Sequence, residues 1–120
     1  MAYDLTIRKD ASGQWVVQPD GGKAVVKPGD TVVWRIDAAE TATARLQFLD
    51  DIFEPSPDLD AHLVSVLERG SQLALTLSQN ALPDPRVLRR TYGYAVAVTD
   101  AGGTSFAIGS NPPPDLDVGG

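Results

Sequence analysis

Val26-Lys27-Pro28-Gly29-Asp30-Thr31-Val32-Val33-Trp34-Arg35-Ile36 decides the fold, because it reads as a tight turn feeding a half-buried strand. Proline presets φ for the turn, glycine accepts the positive φ that follows, and the aspartate carboxylate is placed to accept backbone N–H groups as the strand begins. Beyond the turn, Val32, Trp34 and Ile36 share one face. Thr31, Arg35 and Asp37 share the other, with Val33 the single apolar residue among them. A period of two predicts a strand with one buried side.

The same test extends in both directions. Leu5 and Ile7 oppose Asp4, Thr6 and Arg8; Leu46 and Phe48 oppose Arg45 and Gln47. Leu73, Leu75 and Leu77 oppose Gln72, Ala74, Thr76 and Ser78, while Tyr92, Tyr94, Val96 and Val98 oppose Gly93, Ala95, Ala97 and Thr99. After the turn Asp100-Ala101-Gly102-Gly103, residues 104–108 read as the return strand of a hairpin. Residues 116–118 read as a last short strand, with Pro112 to Pro114 ahead of it as protection for a sheet edge. Residues 58–70 are ambiguous. Leu59, Leu63, Val66 and Leu67 have helical spacing with Asp58 and Gly70 as caps, yet Leu63, Val64, Val66 and Leu67 equally fit a strand. The expectation there is an irregular loop with one helical turn or a short helix.

The prediction is therefore an all-β, single-domain Greek-key β-sandwich over residues 1–120, with about seven to nine strands and at most one short helix. The 120 residues are 42% apolar and 22% charged, enough for one core, and there is no cysteine to form a disulfide or thiolate metal site. Ten basic against 16 acidic residues give a formal net charge of −6, which argues against a nucleic-acid or anionic-membrane partner. No secretory signal is read in Met1 to Asp10, and no apolar run approaches the ~20 residues of a membrane helix, so the cytoplasm is the expected compartment.

The turn-and-strand run from Val26 to Trp34, with Tyr92-Gly93-Tyr94-Ala95-Val96-Ala97-Val98 as a late strand and a Gly-Gly hairpin after it, resembles the cupredoxin-like β-sandwiches, with an immunoglobulin-like cousin as the alternative. In copper-binding cupredoxins the metal is held by two imidazoles, a thiolate and usually a thioether. Here Ala44 or Arg45 stands where the resemblance places the first histidine, and Val96 near the expected cysteine. The only methionine is Met1 and the only histidine His62. The resemblance thus implies a copper-free scaffold, with no metal and no cofactor.

Candidate chemistry is sparse. His62 follows Asp58 and Asp60, but no nucleophile pattern accompanies it, and it is read as a solvated loop histidine rather than a catalytic one. Asp50, Asp51, Glu54, Asp58 and Asp60 form an acidic loop that lacks the alternating register of a calcium loop. Its better use is as a docking surface for a protein with a basic surface, with Asp50, Asp51, Ile52, Phe53 and Glu54 as the partner-binding residues. Ile52 and Phe53 either tuck under the loop as core or offer that partner an apolar anchor. Arg86, Arg89 and Arg90 are read as pairing with the acidic loop or as plain solubility. Trp15, Trp34, Phe48, Tyr92, Tyr94 and Phe106 are assigned to inward positions or near them, Trp15 being the least settled. The expected function is a non-enzymatic protein-interaction module, a monomer by preference, with a small-ligand or carbohydrate-binding domain as the alternative.

Overall fold

The computed structural model describes residues 2–18, 24–37, 42–60, 63–82, 86, 89–107 and 115–119. These residues form ten strands and one 3₁₀ turn, Gln79–Ala81. β1 (Ala2–Lys9), β2 (Trp15–Gln18), β4 (Thr31–Ile36) and β7 (Gln72–Thr76) make one sheet in the order β2-β1-β4-β7. The second sheet runs β3 (Ala24–Val26), β10 (Asp115–Gly119), β8 (Arg89–Asp100), β5 (Thr43–Phe48), β6 (Val64–Glu68), with β9 (Gly103–Phe106) paired to β8. Two of the pairings, β1 with β4 and β10 with β3, are parallel; all the others are antiparallel.

The deciding turn forms as its residues dictate. Gly29 has φ +95, and the Asp30 carboxylate accepts the Lys27 N–H at 3.0 Å. The strand it launches, β4, is central in its sheet, so Trp34 is fully buried. Trp34 meets Phe48, Tyr94 and Phe53 edge-on at centroid separations of 5.4, 5.6 and 6.4 Å, and its indole N–H points to the Tyr94 hydroxyl at 3.3 Å. These rings join the sheets through the middle of the core, where edge-to-face pairs add to area burial.

Several expectations are corrected. Residues 64–68 are a strand, not a helical turn: Leu63 has φ +61, which no α-helix accommodates, and β5 supplies the backbone partner that local spacing could not reveal. β2 and β3 add two short strands that the alternation test passed over, since Val16 blurs the contrast in Trp15–Gln18 and Ala24–Val26 is only three residues long. β10 is not an edge, because β3 pairs on its far side. Phe106 is not inward, being 67% exposed on the outer side of β9. Val33, assigned to the outer face, is buried as well. Among the described residues no helix is long and apolar enough to cross a membrane.

Candidate functional site

The acidic loop leaves β5 at Phe48 and is fastened to both sheets. Ile52 and Phe53 are 3% and 5% exposed, and the Phe53 ring lies 4.9 Å from that of Phe48. Their backbone continues the first sheet: Phe53 bridges Leu77 in antiparallel fashion, the Glu54 N–H donates to the Thr76 carbonyl at 2.7 Å, and the Ser78 N–H donates to the Ile52 carbonyl at 2.9 Å. The described ladder ends at Glu54: Ser56 is the next residue whose N–H would face β7, and there the chain turns away. A turn around Ser56 follows, its hydroxyl accepting the Asp58 N–H at 3.2 Å. Asp60 then engages the second sheet: its N–H donates to the Val64 carbonyl and its carboxylate accepts the Val64 N–H at 3.0 Å. Residues 49–60 are thus a strap across one flank of the sandwich, tied to β7 at one end and β6 at the other.

Burial of Ile52 and Phe53 takes them out of the contact surface and makes them the anchors of the strap. Asp50, Asp51 and Glu54 remain exposed on a backbone that cannot move far. None of the three has an ion-pair partner among the described residues. Beside them an open hollow of about 430 Å³ is lined by Asp51, Glu54 and Asp60 over Phe53, Leu59 and Leu63. Among the described residues no three acids or imidazoles are grouped to hold a metal ion.

The remaining candidates fall elsewhere. His62 lies outside the described residues. Arg89 pairs with the nearly buried Asp117 at 3.0 Å, and the Arg90 guanidinium sits over the Tyr92 ring at 5.4 Å, so both are used within their own sheet rather than against the strap. Arg86 is exposed. Ala44 and Val96 are fully buried, apolar and inward-facing on β5 and β8, so these positions offer a metal nothing. Trp15, Tyr92 and Tyr94 are buried too, which removes them as stacking platforms for a sugar.

Two carboxylates that sequence reasoning passed over do structural work at the opposite end. Asp10 accepts the Ser12 hydroxyl at 2.7 Å and the backbone N–H groups of Ser12 and Gln14, and these bonds, the Ser12 hydroxyl foremost, hold its carboxyl below the usual range. Asp100 accepts the Trp15 indole N–H at 3.0 Å and the Gly102 N–H at 2.8 Å, with Lys9 at 3.2 Å. The indole bond is the chief cause of its lowered pKa, the Gly102 amide and Lys9 following. Asp-x-Ser-Gly and Asp-x-Gly-Gly are turn signals that could have marked the local bonds. Nothing in sequence marks the bond from Trp15 to a residue 85 positions away. Neither a protein-family model nor any curated protein sequence matches the chain.

Proposed function

We propose that the protein is a cytoplasmic, non-enzymatic docking module on a copper-free cupredoxin-like scaffold, and that Asp50, Asp51 and Glu54 receive the basic surface of another protein. The observation that carries this reading is the contrast inside the strap: apolar side chains and backbone bonds fix it, while its three outward carboxylates are exposed and have no ion-pair partner among the described residues. Preorganised charge of one sign steers a partner of the other sign without an ordering cost on binding. A net charge of −6 favours a basic partner over long range. The scaffold reading is supported by the parallel pairings of β1 with β4 and β3 with β10, which depart from the two antiparallel sheets of the immunoglobulin-like alternative.

The test is a comparison of two baits at low salt in native lysate: the protein itself, and a variant carrying Asp50→Lys, Asp51→Lys and Glu54→Lys. Partner recovery should be lost with the variant and should decline for the original as salt rises and screening sets in. Equal recovery with both baits overturns the assignment of the docking surface to the strap.

A further inference from the structure

The strap seals only half of its flank. Along a strand the N–H and C=O groups of successive residues point to alternate sides, so the groups already in use can be followed one by one. On β6, the Leu63 carbonyl accepts from Phe48 of β5, which turns Ser65 and Leu67 towards β5 and Val64, Val66 and Glu68 outwards. Asp60 satisfies both groups of Val64, and the Ser71 N–H satisfies the Glu68 carbonyl. Val66, 63% exposed, has no backbone partner on that side among the described residues. On β7, the bonds from Thr76 and Ser78 to the strap show that Gln72, Ala74, Thr76 and Ser78 all face outwards. The strap serves Thr76 and Ser78 and its ladder ends at Glu54, leaving Gln72 and Ala74 with no partner on that side among the described residues.

Val66 and Gln72 border one slot of about 430 Å³, with Leu67, Leu73 and Ser65 inside it and Asp58 and Glu68 along it, and Ala74 continues the same β7 edge from Gln72 towards the strap. We propose that this slot receives an extended segment of the partner protein, with alternating apolar and basic side chains, which adds to the β7 edge at Gln72 and Ala74. The proposal rests on the docking-module reading and names the form the partner takes. Two observations select this occupant. The chain's own residues 52–54 already occupy the neighbouring part of the same edge as a strand-like segment with apolar side chains inward, so the edge accepts extended backbone of this kind. Among the described residues the slot is lined by two carboxylates and no basic side chain, so the outward residues of the added strand are selected to be Lys or Arg. In strand addition the backbone ladder supplies affinity and the alternate side chains supply specificity.

The probe is the capped peptide acetyl-Lys-Val-Lys-Val-Lys-Val-amide, followed by amide NMR shifts of the intact protein. Shifts and slowed hydrogen exchange should concentrate at Val66, Gln72 and Ala74. Ala74→Pro should abolish them: its N–H faces the open edge of β7 rather than β4, and proline is tolerated at such an edge position. The same peptide N-methylated at alternate residues removes the donors from the probe and leaves the protein untouched, so it should give no shifts even if the proline variant fails to fold. Equal shifts with the N-methylated peptide overturn the proposal. Shifts confined to Asp50, Asp51 and Glu54 also overturn it while leaving the docking reading in place, since loss of capture by the lysine-substituted strap is a separate result. Self-association of the peptide-free protein that Ala74→Pro abolishes would make a second copy the occupant and overturn the assignment to a basic partner.

Discussion

The two ends of the sandwich use aspartate in opposite ways. At the end carrying the strap, apolar side chains hold the loop and its foremost carboxylates face water with no partner among the described residues. At the other end the turns around Asp10 and Asp100 contain no buried anchor of their own, and the carboxylates themselves hold the backbone. A carboxylate accepting several N–H groups fixes a turn; one left unengaged on a fixed backbone is available to something else. The strap carries five acids and no base, whereas Arg8 and Lys9 precede Asp10 and Asp100 stands alone in its turn; the bonds each carboxylate makes then set the two ends apart.

The largest effects are expected where the strap enters the core. Phe53→Ala should destabilise by about 3–5 kcal/mol, because it empties a ring site between Trp34 and Phe48. It should also release the strap, seen as faster exchange of the Glu54 and Ser78 amides. Trp34→Ala should cost at least as much, since that ring touches three others, yet leave those two amides protected for longer than the Phe53 variant does. Thr31→Ala, which loses only the hydroxyl contact to Thr76 at 2.9 Å, should cost less than about 1 kcal/mol. Denaturant melts measure all three. Equal costs for Thr31→Ala and Trp34→Ala would mean that β4 faces the other way.

The core was legible because it depends on period-two alternation, which Val32, Trp34 and Ile36 or Leu73, Leu75 and Leu77 display without help from the rest of the chain. What escaped was set by pairing. β6 fits a helical turn or a strand by spacing until β5 lies beside it, and β10 looks like an edge until β3 closes its far side. Phe106 carries no mark that its strand faces outward. In the strap, the five acids were visible, but not the division of labour among them: Asp60 is bound to Val64, whereas Asp50, Asp51 and Glu54 have no ion-pair partner among the described residues. That division comes from the ladder between Phe53 and Leu77, a contact between segments that no local pattern announces.

The turn end makes an intermediate prediction through pH. Because hydrogen bonds lower the folded-state pKa of Asp100, its ionised form is favoured on folding. Its contribution is present above about pH 4 and is lost as the pH falls through the lower folded value. Asp100→Asn keeps an acceptor for the Trp15 indole but no longer titrates. Melting temperatures measured from neutral to strongly acidic pH should therefore fall less steeply for the variant than for the original protein. Parallel curves would show that Asp100 is no more engaged than the strap carboxylates, and the contrast between the ends would fail.

The smallest effect on stability is expected at the strap surface, where the contrast is sharpest. Asp50→Lys, Asp51→Lys and Glu54→Lys together should move the melting temperature by no more than about a few degrees, since exposed charges without partners contribute little to folding. Each reversal changes the charge by two, so the triple variant has a formal net charge of zero rather than −6, and relief of self-repulsion offsets part of any local loss. A matched pair of single variants isolates the cause. Asp10→Ala removes an acceptor from two backbone amides and a hydroxyl, whereas Asp50→Ala removes a carboxylate bonded to nothing described, so Asp10→Ala should lower the melting temperature more. If Asp50→Ala is the more damaging, its side chain is part of the strap's fastening, and the docking charge must be sought in Asp51 and Glu54 alone.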